Sequence, residues 1–237
     1  MKNALKMLGI IAIAAVIGFW AASCGDDDGG GGNATSGNTI TSGAELVYDP
    51  SIGNTNEAKN ATDFSFYFYW DDEKRTEEFK PLSNFLDGSP SVTISDNKVS
   101  INLGTPKAAY LEKMVDDKTS EGITITPSDV KGLQMSEFYT SDRKYCLVCM
   151  KDDDNFAMLV YVDKDVTIRG STYLREWEAG DGNHGGEGEM KYNVSLKKGW
   201  NYVIFSINEE TETGTVTSST TQPSGFKWTV IDNNDHH

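Results

Sequence analysis

The chain reads as an all-β protein, an antiparallel β-sandwich of jelly-roll-like or Greek-key type with one or two short helices. Three observations predict this. From Ala44 onward, hydrophobic residues recur mainly with period two. The runs that do so are short, and turn-forming residues separate them. They do not alternate with long helical patterns, so a parallel sheet built from βαβ units does not fit.

Each element has its own signal. Phe64, Phe66, Phe68 and Trp70 alternate with Ser65, Tyr67 and Tyr69, which describes a strand with one aromatic face and tyrosines on the other. Residues 91–95 and 98–103 flank Asp96-Asn97, a pair that tolerates positive φ in a two-residue hairpin turn. Thr105-Pro106 ahead of Ala108 to Met114 predicts a short helix, because a cap residue precedes Pro at the first helical position. Thr126-Pro127-Ser128-Asp129 starts similarly, but Gly132 limits it to about one turn.

The runs 144–150 and 156–162 are apolar on both faces and flank Lys151 to Asn155. They predict a central hairpin, covered on one side by a second sheet and on the other by a helix or long loop. Val166 to Ile168 continues a meander, and residues 190–196 and 200–207 around Lys197-Lys198-Gly199 predict a third hairpin. Residues 213–219, rich in Thr and Ser, suit an exposed or edge strand. Phe226, Trp228 and Val230 form the last alternating run, and Trp200 and Trp228 belong to the core. No internal repeat of fixed period occurs.

The chain has 237 residues and a formal net charge of −15. Residues 1–23 carry only Lys2 and Lys6, so losing them moves the balance to −17. Such acidity opposes nucleic-acid binding, which draws its affinity from Lys and Arg on phosphates. It equally opposes a protein held on anionic lipid by charge alone.

The first segment reads as an address. Lys2 and Lys6 precede the apolar run Met7 to Ala22, which is too short for a comfortable span of about 20 residues and ends in small side chains. Ala21-Ala22-Ser23-Cys24 follows, then Gly25, Asp26 to Asp28 and four more glycines. This pattern resembles a bacterial lipoprotein signal, with Ala21 standing where that family usually has Leu. The stretch Met1 to Ile11 looks like treponeme-type spirochaete signals. Asp163 to Ile168 and Leu196 to Asn201 look like strand motifs of uncharacterised lipoproteins from such bacteria. The resemblance implies cleavage before Cys24, S-diacylation of that residue and acylation of the new amine, and it supplies no other functional residue. Two or three acyl chains anchor stably where one is marginal.

The expected organisation is therefore a signal peptide over 1–23, a lipidated Cys24 with a flexible Gly/Asp/Ser-rich tether over 24–43, and one domain over 44–237. The expected location is the cell envelope, in the outer membrane rather than the inner, with the facing leaflet open.

Candidate chemistry is sparse. Cys146 and Cys149 form a CxxC, but residues three apart on a strand point to opposite faces, so two buried thiols fit better than a disulfide or zinc site. Gly180-x-Gly182-x-x-Gly185 lacks a following helix, and Glu187 and Glu189 would repel a pyrophosphate. Asp181, Asn183, Glu187 and Glu189 are weak calcium candidates, in a loop better read as an acidic hairpin connection. Asp152 to Asp154 reads as a solvated turn.

No nucleophile elbow, zincin or P-loop motif occurs, so an enzyme is not expected; a glycan-active enzyme is the remaining alternative. No cofactor is expected. Tyr67, Tyr69, Tyr173 and Trp177 are weak candidates for stacking on a sugar ring or anchoring a protein partner. The expectation is a lipid-anchored, non-enzymatic binding or interaction module. A purely structural or antigenic surface lipoprotein is the alternative.

Overall fold

A computed structural model describes residues 38–50, 52, 58–59, 64–70, 76–114, 122–152, 154–174, 188–208 and 210–232. The signal, Cys24 and the first part of the tether lie outside these residues.

Among the described residues eighteen strands follow one another, with little helix. They are β1 (Asn38–Tyr48), β2 (Phe64–Trp70), β3 (Thr76–Lys80), β4 (Leu86–Asp87), β5 (Ser91–Ser95), β6 (Lys98–Leu103), β7 (Thr105–Pro106), β8 (Glu112–Lys113) and β9 (Ile123–Thr126). The second half holds β10 (Lys131–Met135), β11 (Glu137–Thr140), β12 (Tyr145–Asp152), β13 (Asn155–Val162), β14 (Val166–Leu174), β15 (Gly188–Leu196), β16 (Gly199–Asn208), β17 (Thr213–Ser219) and β18 (Lys227–Asp232). The all-β class is as the sequence predicts. Hydrogen bonding joins sixteen strands into one network, whose main path runs β5-β6-β1-β18-β12-β13-β16-β17-β15-β14-β9. It is mixed rather than wholly antiparallel, because β1–β18 and β15–β17 pair in parallel.

The core explains why the 156–162 run is apolar on both faces. β16 pairs antiparallel with the whole of β13, Asn155 opposite Ser206 through Val162 opposite Gly199. Ala157, Leu159 and Tyr161 point into one hydrophobic cluster with Leu147, Cys149, Tyr202 and Trp228. Met158, Val160 and Val162 point into a second, with Ile168, Tyr192, Val194, Val203, Phe205 and Val216. Strand alternation sends successive residues to opposite faces, so one ribbon serves two cores. Aromatic pairs close both. Tyr161 meets Trp200 edge-on at 5.5 Å in the first, and Phe156 stacks on Phe205 at 4.8 Å beside the second.

Turn chemistry holds where it is local. Asp96 and Asn97 adopt φ of 52° and 57°, the geometry of a two-residue hairpin turn, between β5 and β6. Asp152 Oδ1 accepts hydrogen bonds from the Asp154 amide (3.1 Å) and the Asn155 side-chain amide (2.6 Å), which closes the β12–β13 hairpin.

Several expectations are corrected. Residues 105–114 form β7, a 3-10 turn over Ala108–Tyr110 and β8 in place of a helix. Pro106 is buried opposite Leu86 in the β4–β7 ladder, so Pro here starts a strand contact. The short helix α1 is instead Leu82–Phe85, which follows Pro81 and buries Leu82 and Phe85. Lys107 Nζ donates to its Ser83 and Asn84 carbonyls. Thr126 ends β9 and residues 127–129 form a turn, within the one-turn limit that Gly132 sets.

β15 and β16 do not pair, and β17 lies between them. Residues 197–199 make a corner that Asn201 holds: its Oδ1 accepts the Lys197 amide, and its Nδ2 donates to the Lys197 and Gly199 carbonyls. Gly199 permits this with φ of 104°. β17 is therefore an interior strand, with Gly214 and Val216 buried and Thr215 and Thr217 exposed. β14 does not continue a meander from β13 but pairs with β15 and β9. Residues 38–43, expected as the end of the tether, already belong to β1, where Asn38 to Glu45 pair with β6. Bulges between Thr39 and Ala44 and a positive φ at Gly43 mark where β1 bends.

Candidate functional site

The aromatic candidates separate at once. Tyr67 and Tyr69 occupy β2, their backbones opposite Phe79 and Glu77 on β3, and their side chains lie outside the described residues. Trp177 lies outside the described residues, as do Asp181, Asn183 and Glu187. Tyr173 is the exposed large hydrophobic among the described residues, at 58%.

Tyr173 belongs to a polar sheet face. Along β14, Val166 and Ile168 face the second core, so Thr167, Arg169, Ser171 and Tyr173 face outward. Register places each beside an outward residue of β15: Thr167 opposite Ser195, Arg169 opposite Asn193, Ser171 opposite Lys191, and Tyr173 opposite Glu189. On the far side β9 contributes Thr126 opposite Thr167 and Thr124 opposite Arg169. Beyond β15, Thr215 of β17 lies opposite Lys191.

Arg169 is fixed across this face. Its guanidinium donates to the Ile168 carbonyl (3.0 Å), the Val194 carbonyl and Ser195 Oγ (3.0 Å). Next to it Gly170, at φ of 126°, approaches Gly122 so closely that a Cβ would lie 2.0 Å from the Gly122 carbonyl oxygen. Ser218 Oγ bonds both the amide and the carbonyl of Ser195, extending the β15–β17 contact past the last backbone pair.

Glu189 is engaged on the same face. Hydrogen bonds from Lys191 and Ser171, with the nearby Lys191 charge, hold its carboxyl below the usual range, and Lys191 Nζ lies 3.2 Å away. Among the described residues no group of three or more His, Cys, Asp or Glu is placed to hold a metal ion. No helix among them is long and apolar enough to cross a membrane.

Cys146 and Cys149 are free, buried thiols. Cys149 faces the first core with Tyr145 and Leu147, and alternation turns Cys146 the other way. Burial pushes Cys149 up to about 12 and Cys146 well above the ordinary thiol value, the latter also through Glu137 and Asp232. The expected result is no labelling of either thiol by a thiolate-selective reagent at pH 8 in a folded Cys24→Ala chain, and two labels after denaturation. Rapid native labelling would contradict their burial.

The polar alternation of β14 was readable as Thr167-x-Arg169-x-Ser171-x-Tyr173. Its neighbours across β9, β15 and β17 were not. No protein-family model matches the chain, and no curated protein or solved structure is found similar to it.

Proposed function

We propose that the chain is a lipid-anchored cell-envelope protein whose β domain is a non-enzymatic binding module, with the outward face of β14 and β15 as its contact surface. One observation carries the anchor: a basic end and short apolar run lead into Ala21-Ala22-Ser23-Cys24, followed at once by a polar Gly/Asp stretch. Cys24→Ala is expected to abolish labelling by a fatty-acid analogue and to release the chain from membranes. Retained labelling overturns the anchor.

The binding surface is supported by Tyr173, an exposed ring beside Ser171, Glu189 and Lys191, on a face that continues along the strands through Arg169, Asn193 and Ser195. Sugars are bound by stacking on such a ring while hydroxyls meet flanking donors and acceptors. A glycan is accordingly the ligand class this face fits best. A thermal-shift screen against envelope and host glycans is expected to find a ligand whose stabilisation is lost in Tyr173→Ala. Near 100-fold excess over Kd, the expected stabilisation is about 2.7 kcal/mol. A ligand that stabilises the variant equally would move the site elsewhere, and stabilisation by proteins alone would replace the ligand class.

A further inference from the structure

The main strand path ends on β5, whose partner among the described residues is β6, with Ser91 opposite Asn102 through Ser95 opposite Lys98. The two-residue turn at Asp96-Asn97 makes Ser95 and Lys98 a hydrogen-bonded pair, and alternation makes Thr93 with Ser100 and Ser91 with Asn102 the next ones. The N–H and C=O groups of Val92 and Ile94 therefore point away from β6, toward the outer edge. Val92 is buried and Ile94 packs half-buried against the first core, while Ser91, Thr93 and Ser95 are exposed on the opposite face. Sheet edges are commonly blunted by charges, Pro or bulges. β3, which pairs only with β2 among the described residues, carries Glu77, Glu78 and Lys80. β9, at the other end of the path, is four residues long and stops at Pro127. β5 has no charge, no Pro and no bulge along its length.

Ser91-Val92-Thr93-Ile94-Ser95 also reads almost the same in both directions. We propose that β5 pairs antiparallel with β5 of a second copy of this chain, about a two-fold axis at Thr93. In that register Val92 lies opposite Ile94 of the second copy, Ser91 opposite its Ser95, and Thr93 opposite its Thr93. Each outward N–H of Val92 and Ile94 then meets an outward carbonyl. The apolar side chains stay on the core side, where Val92 of one copy covers the half-buried Ile94 of the other, and the hydroxyl side chains pair on the solvent side. A formal net charge of −15 opposes association in general. β5 is a neutral strip on this acidic chain, and Asp96, the acid next to it, falls opposite Pro90 of the second copy rather than another carboxylate. Pro90, which has no N–H, and Asp96, at φ of 52°, end the ladder on either side. The two-fold axis uses both copies' β5 edges, so the assembly closes at two copies instead of growing into a fibre. So short a ladder falls below the roughly 1,200 Å² of a stable interface, which makes the dimer weak and reversible. The inference rests neither on acylation of Cys24 nor on the β14–β15 face.

The test uses the full Cys24→Ala chain with one further cysteine, Cys146 and Cys149 being buried. Under mild oxidation Thr93→Cys is expected to give a disulfide-linked dimer several-fold faster than Ser95→Cys. Opposed residues 93 bring their Cβ atoms to about 5 Å, near disulfide geometry, whereas the two residues 95 stand roughly 13 Å apart along the strand. A mixture of Ser91→Cys and Ser95→Cys chains is expected to cross-link faster than either chain alone. In sedimentation, the Cys24→Ala chain without the added cysteine is expected to show a dimer fraction that rises with concentration. Thr93→Lys, which opposes two ammonium groups on an exposed face, is expected to lower that fraction several-fold. Equal cross-linking at 93 and 95, or none at 93, overturns the pairing. A dimer fraction that Thr93→Lys leaves unchanged overturns it as well, as does a chain that stays monomeric at every concentration.

Discussion

Gly104→Ala is expected to destabilise the domain by ~3 kcal/mol or more, a cost at the upper end for overpacking. A Cβ on this residue would lie 1.2 Å from the Asp87 carbonyl oxygen and 2.4 Å from its carbonyl carbon. Those are backbone atoms of β4, so no side-chain rotation relieves the overlap. Moving the backbone would disturb the β4–β7 ladder, in which Asp87 pairs with Thr105, and the bond from Trp200 Nε1 to the Gly104 carbonyl. Gly199→Ala separates this effect from ordinary glycine strain. Gly199 has φ of 104° with nothing within 4 Å of an added Cβ, so only backbone strain of about 1–3 kcal/mol is expected. Urea unfolding of both variants is the measurement. A Gly104→Ala chain as stable as the parent would show that β4 does not approach this closely.

Trp228→Ala and Phe205→Ala are each expected to cost about 3–5 kcal/mol, although they sit in different cores. Trp228 is 1% exposed on β18 between β1 and β12, and its ring meets Phe138 at 6.0 Å. Phe205 is fully buried in the second core beside Phe156. Both cores rest on opposite faces of the β13–β16 ribbon, so loss of either loosens the strands that bound the other. A single cooperative transition, lowered by about 6–20 °C in either variant, is the expected result for a domain of this size. Two separate transitions, with only one moved by each substitution, would show that the cores fold independently.

Much of the fold was legible because its signals are local. The two-faced apolar runs around Leu147 and Leu159 marked the centre of the sheet, since a strand buried on both faces has no polar alternation. Asp96-Asn97 marked a hairpin because few residues accept two consecutive positive φ values. Cys146 and Cys149 were legible as separated thiols from the strand period alone. Partner choice was not legible. Lys197-Lys198-Gly199 looks like a hairpin turn, yet β17 from residues 213–219 takes the place beside β15. Pro106 looks like a helix start, yet its pairing with Leu86 depends on where α1 delivers the chain.

The candidate face divides the same way. Tyr173 and Arg169 were predictable as outward residues of one strand. Their becoming part of a four-strand surface depends on β9, β15 and β17 arriving beside them from distant parts of the sequence.

The sequence by itself determined the strand period, the local turns and the pattern ending at Cys24 that predicts an acyl anchor, because each depends on neighbours a few residues apart. Only the tertiary structure decided that one ribbon divides two cores and that β17 comes between β15 and β16. Those features depend on which strands pair, and pairing is set by burial summed over the whole domain rather than by any single segment.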